Sequence, residues 1–128
     1  MQRLLLDTRV LLWALEDSPE MGKNARKSVI DRRNEVFVSA VNVWEITNKR
    51  PLGRLRCPDN LTTTVEDMEF AQLPVTLFHA EQAGNPPMHR RDPFDRMLVA
   101  QAQAEELTIV TSDDRIGLYG VRTMAAGR

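Results

Sequence analysis

The stretch Arg3-Leu4-Leu5-Leu6-Asp7-Thr8-Arg9-Val10-Leu11-Leu12-Trp13-Ala14-Leu15 reads as strand, turn and helix. Leu4 to Leu6 is a short apolar run stopped by a polar pair, and Val10 to Leu15 has the apolar density of a buried helix. The alternation continues outward. Val36-Phe37-Val38 is a β-branched and aromatic run, followed by Ser39 as a cap and by a helix through Val41, Trp44 and Ile46 to about Lys49. Asp92-Pro93 pairs a cap residue with a helix-starting proline ahead of the apolar stretch Phe94 to Ala104. Leu107 to Thr111 reads as a strand buried on both faces. Strands alternating with helices through short connections give a parallel sheet with right-handed crossovers. The fold class is therefore α/β, an open, doubly wound sheet with helices on both faces.

The remaining segments carry weaker signals. Ser18-Pro19-Glu20 predicts the start of a polar helix that continues through Lys23 to Arg33, with Ala25, Val29 and Ile30 inward, and stops at Asn34. Pro51 and Gly53 end the helix that follows Ser39. Asp59 to Ala71 reads as a helix, Leu73 to Thr76 as a weak strand and Phe78 to Ala83 as a short helix, before a loop at Gly84-Asn85-Pro86-Pro87. Asp113 to Leu118 reads as a short helix, Gly120 to Thr123 as an edge strand, and Met124 to Arg128 as a frayed end. No repeat, low-complexity tract or linker divides the chain, so residues 1–128 are read as one domain.

Composition narrows the function. The 128 residues suit one core, and the 42% hydrophobic content includes no apolar run long enough to span a bilayer. The N-terminus enters Leu4-Leu5-Leu6-Asp7 without an extended apolar leader, which predicts a cytoplasmic protein. The single Cys57 excludes an internal disulfide and a cysteine-based zinc cage. Net charge is −1, yet 14 of the 17 basic residues are Arg, the side chain suited to bidentate phosphate or carboxylate contacts. Basic runs at Lys23 to Arg33 and Lys49 to Arg56 read as solvated faces or as contacts for phosphate or an acidic partner.

In open α/β sheets ligands bind at the carboxyl ends of the strands, near the point where strand order reverses. Four acids fall on that edge. Asp7 closes the first strand, Glu45 lies in the helix after the second, Asp95 sits in the first turn of a helix, and Asp113 comes two residues past Thr111. Two such carboxylates 4 Å apart repel by about 4 kcal/mol at an effective dielectric near 20. Raised pKa values offset that, and so does a hard divalent cation, Mg²⁺ or Mn²⁺ suiting a site of oxygen donors. A carboxylate-held cation points to phosphodiester hydrolysis. Any one of these acids also has an ordinary reading as a cap or surface carboxylate, and Asp92 reads as an N-cap. Clustered charge further predicts that Glu45→Gln and Asp113→Asn each raise thermal stability in metal-free buffer.

Several local strings are more specific. Leu5-Leu6-Asp7-Thr8 with Val10-Leu11-Leu12-Trp13, Ser39-Ala40-Val41 with Trp44-Glu45-Ile46, Arg91-Asp92-Pro93-Phe94-Asp95-Arg96 with Ala100-Gln101-Ala102, and Val110-Thr111-Ser112-Asp113 with Tyr119-Gly120-Val121 occur in order. Together, over about Leu4 to Val121, they resemble a PIN-domain ribonuclease of the VapC-type toxin branch of bacterial toxin–antitoxin pairs. The resemblance implies a PIN-like sheet of four to five parallel strands and a Mg²⁺- or Mn²⁺-dependent endoribonuclease acting on single-stranded or loop RNA.

Carried over by position, Asp7, Glu45, Asp95 and Asp113 match the family's acidic quartet. Asp7 and Asp95 would be the main metal ligands, with Glu45 and Asp113 direct or water-mediated. Thr111 matches a hydroxyl beside the last acid, and Ser39 a small polar residue lining the same edge. Asp114 is the alternative to Asp113; Asp113 keeps the family's offset to Ile116. The chain departs from the branch in carrying Arg9 where His is frequent and His89-Arg90 where a His pair is frequent, which touches substrate selection. The resemblance also implies a cognate VapB-type antitoxin, a homodimer and a toxin–antitoxin hetero-oligomer. Arg90, Arg91 and Arg96 are candidate contacts for RNA or antitoxin.

His79 and His89 read as surface or loop residues, Trp13 and Trp44 as core or, alternatively, as a lining for a partner's helix, and Met68, Met88, Met97 and Met124 as gap-fillers. Two other functions compete with the toxin. A housekeeping PIN nuclease without a dedicated antitoxin differs in whether the chain alone arrests growth and a small neighbouring reading frame relieves it. A receiver-like signalling module needs an acidic pair after its first strand and a late Lys, whereas Asp7 precedes Thr8 and no Lys follows Lys49.

Overall fold

The sheet is five-stranded, parallel throughout and ordered β3-β2-β1-β4-β5, in a computed structural model that describes residues 1–52, 57–85 and 92–127. β1 (Arg3–Leu6) is central, and α1 (Thr8–Glu16) and α2 (Lys23–Ile30) lead to β2 (Glu35–Ser39). α3 (Ala40–Lys49), a 3₁₀ turn at Arg50–Leu52 and α4 (Leu61–Asp67) precede the edge strand β3 (Ala71–Leu73). α5 (Leu77–Ala83) and α6 (Pro93–Glu105) return the chain to β4 (Thr108–Thr111), and a 3₁₀ helix at Asp114–Tyr119 leads to β5 (Thr123–Ala125).

The triple leucine of β1 is the signature of a strand buried on both sides, because alternate residues face opposite layers. Leu4 and Leu6 join one core with Val10, Leu11, Val29 and Val65 from α1, α2 and α4. Leu5 joins the other with Phe94, Leu98 and Val99 of α6 and with Ile109. The chain winds from β1 toward β3 on one side and later adds β4 and β5 on the other. Strand order thus reverses between β1 and β4, whose register pairs Leu6 with Val110, so that Asp7 lies just past the end of β1 beside Thr111, the last residue of β4.

Several expectations shift here. α2 begins after Gly22, not at Ser18-Pro19, and ends at Ile30, which is 68% exposed. The expected helix over Asp59 to Ala71 is only Leu61–Asp67, because Glu69 turns the chain in the left-handed region (φ 62°). The third strand is therefore Ala71–Leu73, paired with Phe37–Ser39, and Thr76 becomes the cap of α5. Gly120 (φ 78°) caps the last 3₁₀ helix, which moves the final strand to Thr123–Ala125.

The C-terminus does not fray over its described residues. Ala126 is fully buried, its N–H donates to the Thr111 carbonyl (3.0 Å) and its carbonyl accepts from Gly22 N–H (2.7 Å). Gly22 is required at that contact, since a Cβ there would lie 2.4 Å from the Gly127 carbonyl oxygen. The loop residues Pro86 and Pro87, together with Met88, His89, Arg90 and Arg91, and the end of the basic run at Arg54 and Arg56, lie outside the described residues. No helix among the described residues is long and apolar enough to cross a membrane.

Candidate functional site

A cleft of ≈ 380 Å³ opens at the carboxyl edge of the sheet, where the strand order reverses. Asp7, Glu45, Asp95 and Asp113 all line it. Two further acids, Glu16 and Asp92, share the wall, against two described cations, Arg9 and Lys49. Among the described lining residues acid outnumbers base, so these walls favour a cation.

Each acid is positioned by backbone logic. Asp7 caps α1, its Oδ1 accepting from Val10 N–H (2.8 Å). Burial pushes its carboxyl above the ordinary range, the hydrogen bonds from the Thr111 side chain and Val10 N–H and the charge of Arg9 oppose that rise, and Glu45 adds to it. Thr111 Oγ1 also accepts from Asp113 N–H (3.0 Å), so one hydroxyl links the first and last acids. Asp113 caps the 3₁₀ helix and pairs with Arg115 (3.2 Å). Asp114, its rival, is exposed and does not line the cleft. Asp95 is half-buried in the first turn of α6, its N–H taken by the Asp92 cap (3.3 Å). Asp92 is thus both cap and cleft wall.

Glu45 is buried in α3 at 7% exposure and is held at both oxygens. Oε1 accepts from the Thr8 hydroxyl (2.6 Å), and Oε2 pairs with Lys49 one turn along. Thr8 in turn accepts from Asn42 Nδ2 (3.1 Å). Thr8, Asn42 and Lys49 were not singled out as site residues from sequence. The Glu45/Lys49 spacing of four on a helix was a readable signal, whereas the contact of Thr8 with α3 exists only in the fold.

Ser39 stands apart from the cleft. It is fully buried, caps α3 and donates to Gln101 Oε1 of α6 (2.6 Å). His79, expected at the surface, is 1% exposed, accepting from Thr76 N–H at Nδ1 (3.1 Å) and pairing with Glu105 at Nε2 (2.9 Å). Trp44, expected in the core, is 59% exposed and packs edge-on against Phe94 (4.8 Å between centroids). Trp13 is half-buried, and Met68 is exposed. Arg96 is half-buried in α6; its companions Arg90 and Arg91 are not described.

Among the described residues of the cleft, the donor set fits a hard divalent cation by charge and by element, since they offer carboxylate oxygen without thiolate or imidazole. Among the described residues no three such side chains already stand in a ligating arrangement. Asp7, Glu45 and Asp113 are each held by a protein partner instead.

The family model described as PIN domain matches residues 4–121. Comparison with curated protein sequences gives no match. Among solved structures, a chain of VapBC2 from Rickettsia felis, bound to a DNA fragment from their promoter, is similar with a TM-score of 0.72 at 12% identity. The likeness covers 98% of this chain and 99% of that one. A chain of DNA-bound VapBC from Salmonella typhimurium gives 0.68 at 17% identity over 97% and 98%. VapBC-5 from Mycobacterium tuberculosis, of a toxin–antitoxin family, gives 0.59 at 18% identity over 92% and 90%. At these identities the likeness is one of fold.

Proposed function

We propose, from the premise that this chain belongs to the PIN-domain family, that it is a divalent-metal-dependent endoribonuclease and the toxin of a toxin–antitoxin pair. The observation that carries this reading is the meeting of Asp7, Glu45, Asp95 and Asp113 in one cleft at the carboxyl edge of the sheet. Asp7 and Asp95 would hold Mg²⁺ or Mn²⁺ there, with Glu45 and Asp113 as direct or water-mediated ligands, and the ion would supply a lowered water pKa and offset charge developing on phosphoryl oxygens.

The chain's own residues do the rest. Val10 N–H and Thr111 hold Asp7 in place, Thr8 fixes one oxygen of Glu45, and the Asp92 cap sets the turn that carries Asp95. Arg9, exposed at the cleft, offers an incoming phosphate a cation where the walls are acidic. Arg96, with Arg90 and Arg91, extends that role to RNA or to antitoxin. The VapBC complexes among the structural relatives support an antitoxin as partner, and homodimer and hetero-oligomer assembly follow from the same reading.

The test is cleavage of single-stranded RNA by the purified protein with Mg²⁺ or Mn²⁺. Cleavage should stop with EDTA and fall at least about 100-fold in Asp7→Asn and Asp95→Asn, the scale of losing positioned electrostatic stabilisation. Folded variants that cut as well as the parent would end the assignment.

A further inference from the structure

We propose that Lys49 is a tethered counter-ion that competes with the divalent cation for Glu45 and thereby sets how much of that cation the cleft requires. The inference rests on the metal-dependent reading above. The two oxygens of Glu45 differ in their commitments. Oε1 receives the Thr8 hydroxyl proton at 2.6 Å, and that hydroxyl is oriented by Asn42, whose Nδ2 donates to Thr8 Oγ1 at 3.1 Å. Because the Thr8 oxygen accepts from Asn42, its own proton is directed to Glu45. Asn42 is itself anchored, its Oδ1 accepting from Ser39 N–H at 2.8 Å. Asn42 is fully buried and Thr8 is 7% exposed. Oε1 is therefore committed to a buried chain of donors.

Oε2 is the oxygen left for a ligand, and Lys49 holds it. The ammonium also lies 5.5 Å from the centroid of the Phe94 ring and lines the cleft. A buried carboxylate without a partner is strongly destabilising, so this pair stabilises the ion-free cleft. A divalent cation that takes Oε2 must displace the ammonium. Lys49 sits one helical turn from Glu45 on a flexible four-carbon stem, so it withdraws without moving α3. Lys49 acts through Glu45 and is a positioning residue.

The test is Mn²⁺ titration by calorimetry of the full chain, stripped with EDTA and dialysed, for the parent, Lys49→Met, Lys49→Gln and Arg9→Gln, with melting temperatures read alongside. Lys49→Gln keeps a hydrogen-bond donor and serves if Lys49→Met does not fold. Both Lys49 variants should bind Mn²⁺ at least about fivefold more tightly than the parent. Arg9→Gln, which removes a cleft charge that is not paired with Glu45, should gain less. Without metal the Lys49 variants should melt below the parent, and saturating Mn²⁺ should narrow that gap through its tighter binding. Equal or weaker affinity in the Lys49 variants, or an equal gain in Arg9→Gln, would overturn the inference while leaving the metal-dependent reading intact. Absence of Mn²⁺ binding by every protein would overturn both.

Discussion

Burial pushes the Asp7 carboxyl above its ordinary range, while hydrogen bonds from Thr111 and Val10 pull it back. The folded chain therefore holds a proton on Asp7 more tightly than the unfolded chain does, so stability falls as pH rises from the ordinary value of 3.8 through the raised one. Asp7→Asn is expected to raise the melting temperature at pH 7 in EDTA, because it removes a buried charge while keeping a side-chain oxygen for the α1 cap. The gain should vanish below about pH 4, where both side chains are neutral; an Asn variant that melts lower at pH 7 would contradict this. Glu45 is different. Repulsion alone suggested that Glu45→Gln would stabilise the metal-free protein, but Glu45 has Thr8 and Lys49 as partners, and Arg115 likewise offsets Asp113. The relief therefore belongs to Asp7. The Thr8 contact was illegible in the sequence because it forms only when α1 packs on α3, whereas the spacing of Lys49 from Glu45 was readable.

Elements with both a hydrophobic pattern and a stop signal were legible: β1, α1, α3, α6 and β4 lie where Leu4-Leu5-Leu6, Ser39, Asp92-Pro93 and Leu107 to Thr111 indicated. The edge strands were displaced because short edge strands are set by their partner's register, β3 against Phe37–Ser39 and β5 against Ile109–Thr111. His79 departs from its expected surface position for a related reason, since its burial comes from α5 packing on α6 and α5 has little apolar pattern of its own. The tethered C-terminus gives a prediction at this scale. Gly22→Ala forces a Cβ toward the Gly127 carbonyl oxygen, 2.4 Å away, and should lower stability by roughly 1–3 kcal/mol, the usual cost of overpacking. Urea unfolding measures it, and an unchanged midpoint would show that the terminal segment does not pack as described.

Across the whole molecule, a doubly wound sheet does what no local segment does: it gathers acids from α1's cap, α3, α6 and the end of β4 at one reversal of strand order. That convergence was legible because Asp7 and Asp113 follow strands, Glu45 sits on the helix after one, and Asp95 opens the helix that leads into β4. The neutralising residues around it were less so, and Arg90 and Arg91 stand outside the described residues. Crystals soaked in Mn²⁺ and measured for anomalous scattering address the convergence directly. A peak is expected in the cleft about 2.1–2.2 Å from carboxylate oxygens of Asp7 and Asp95, close to the spacing of hard divalent cations with oxygen. A well-ordered cleft without such a peak at saturating Mn²⁺, or a peak bound only elsewhere, would contradict it.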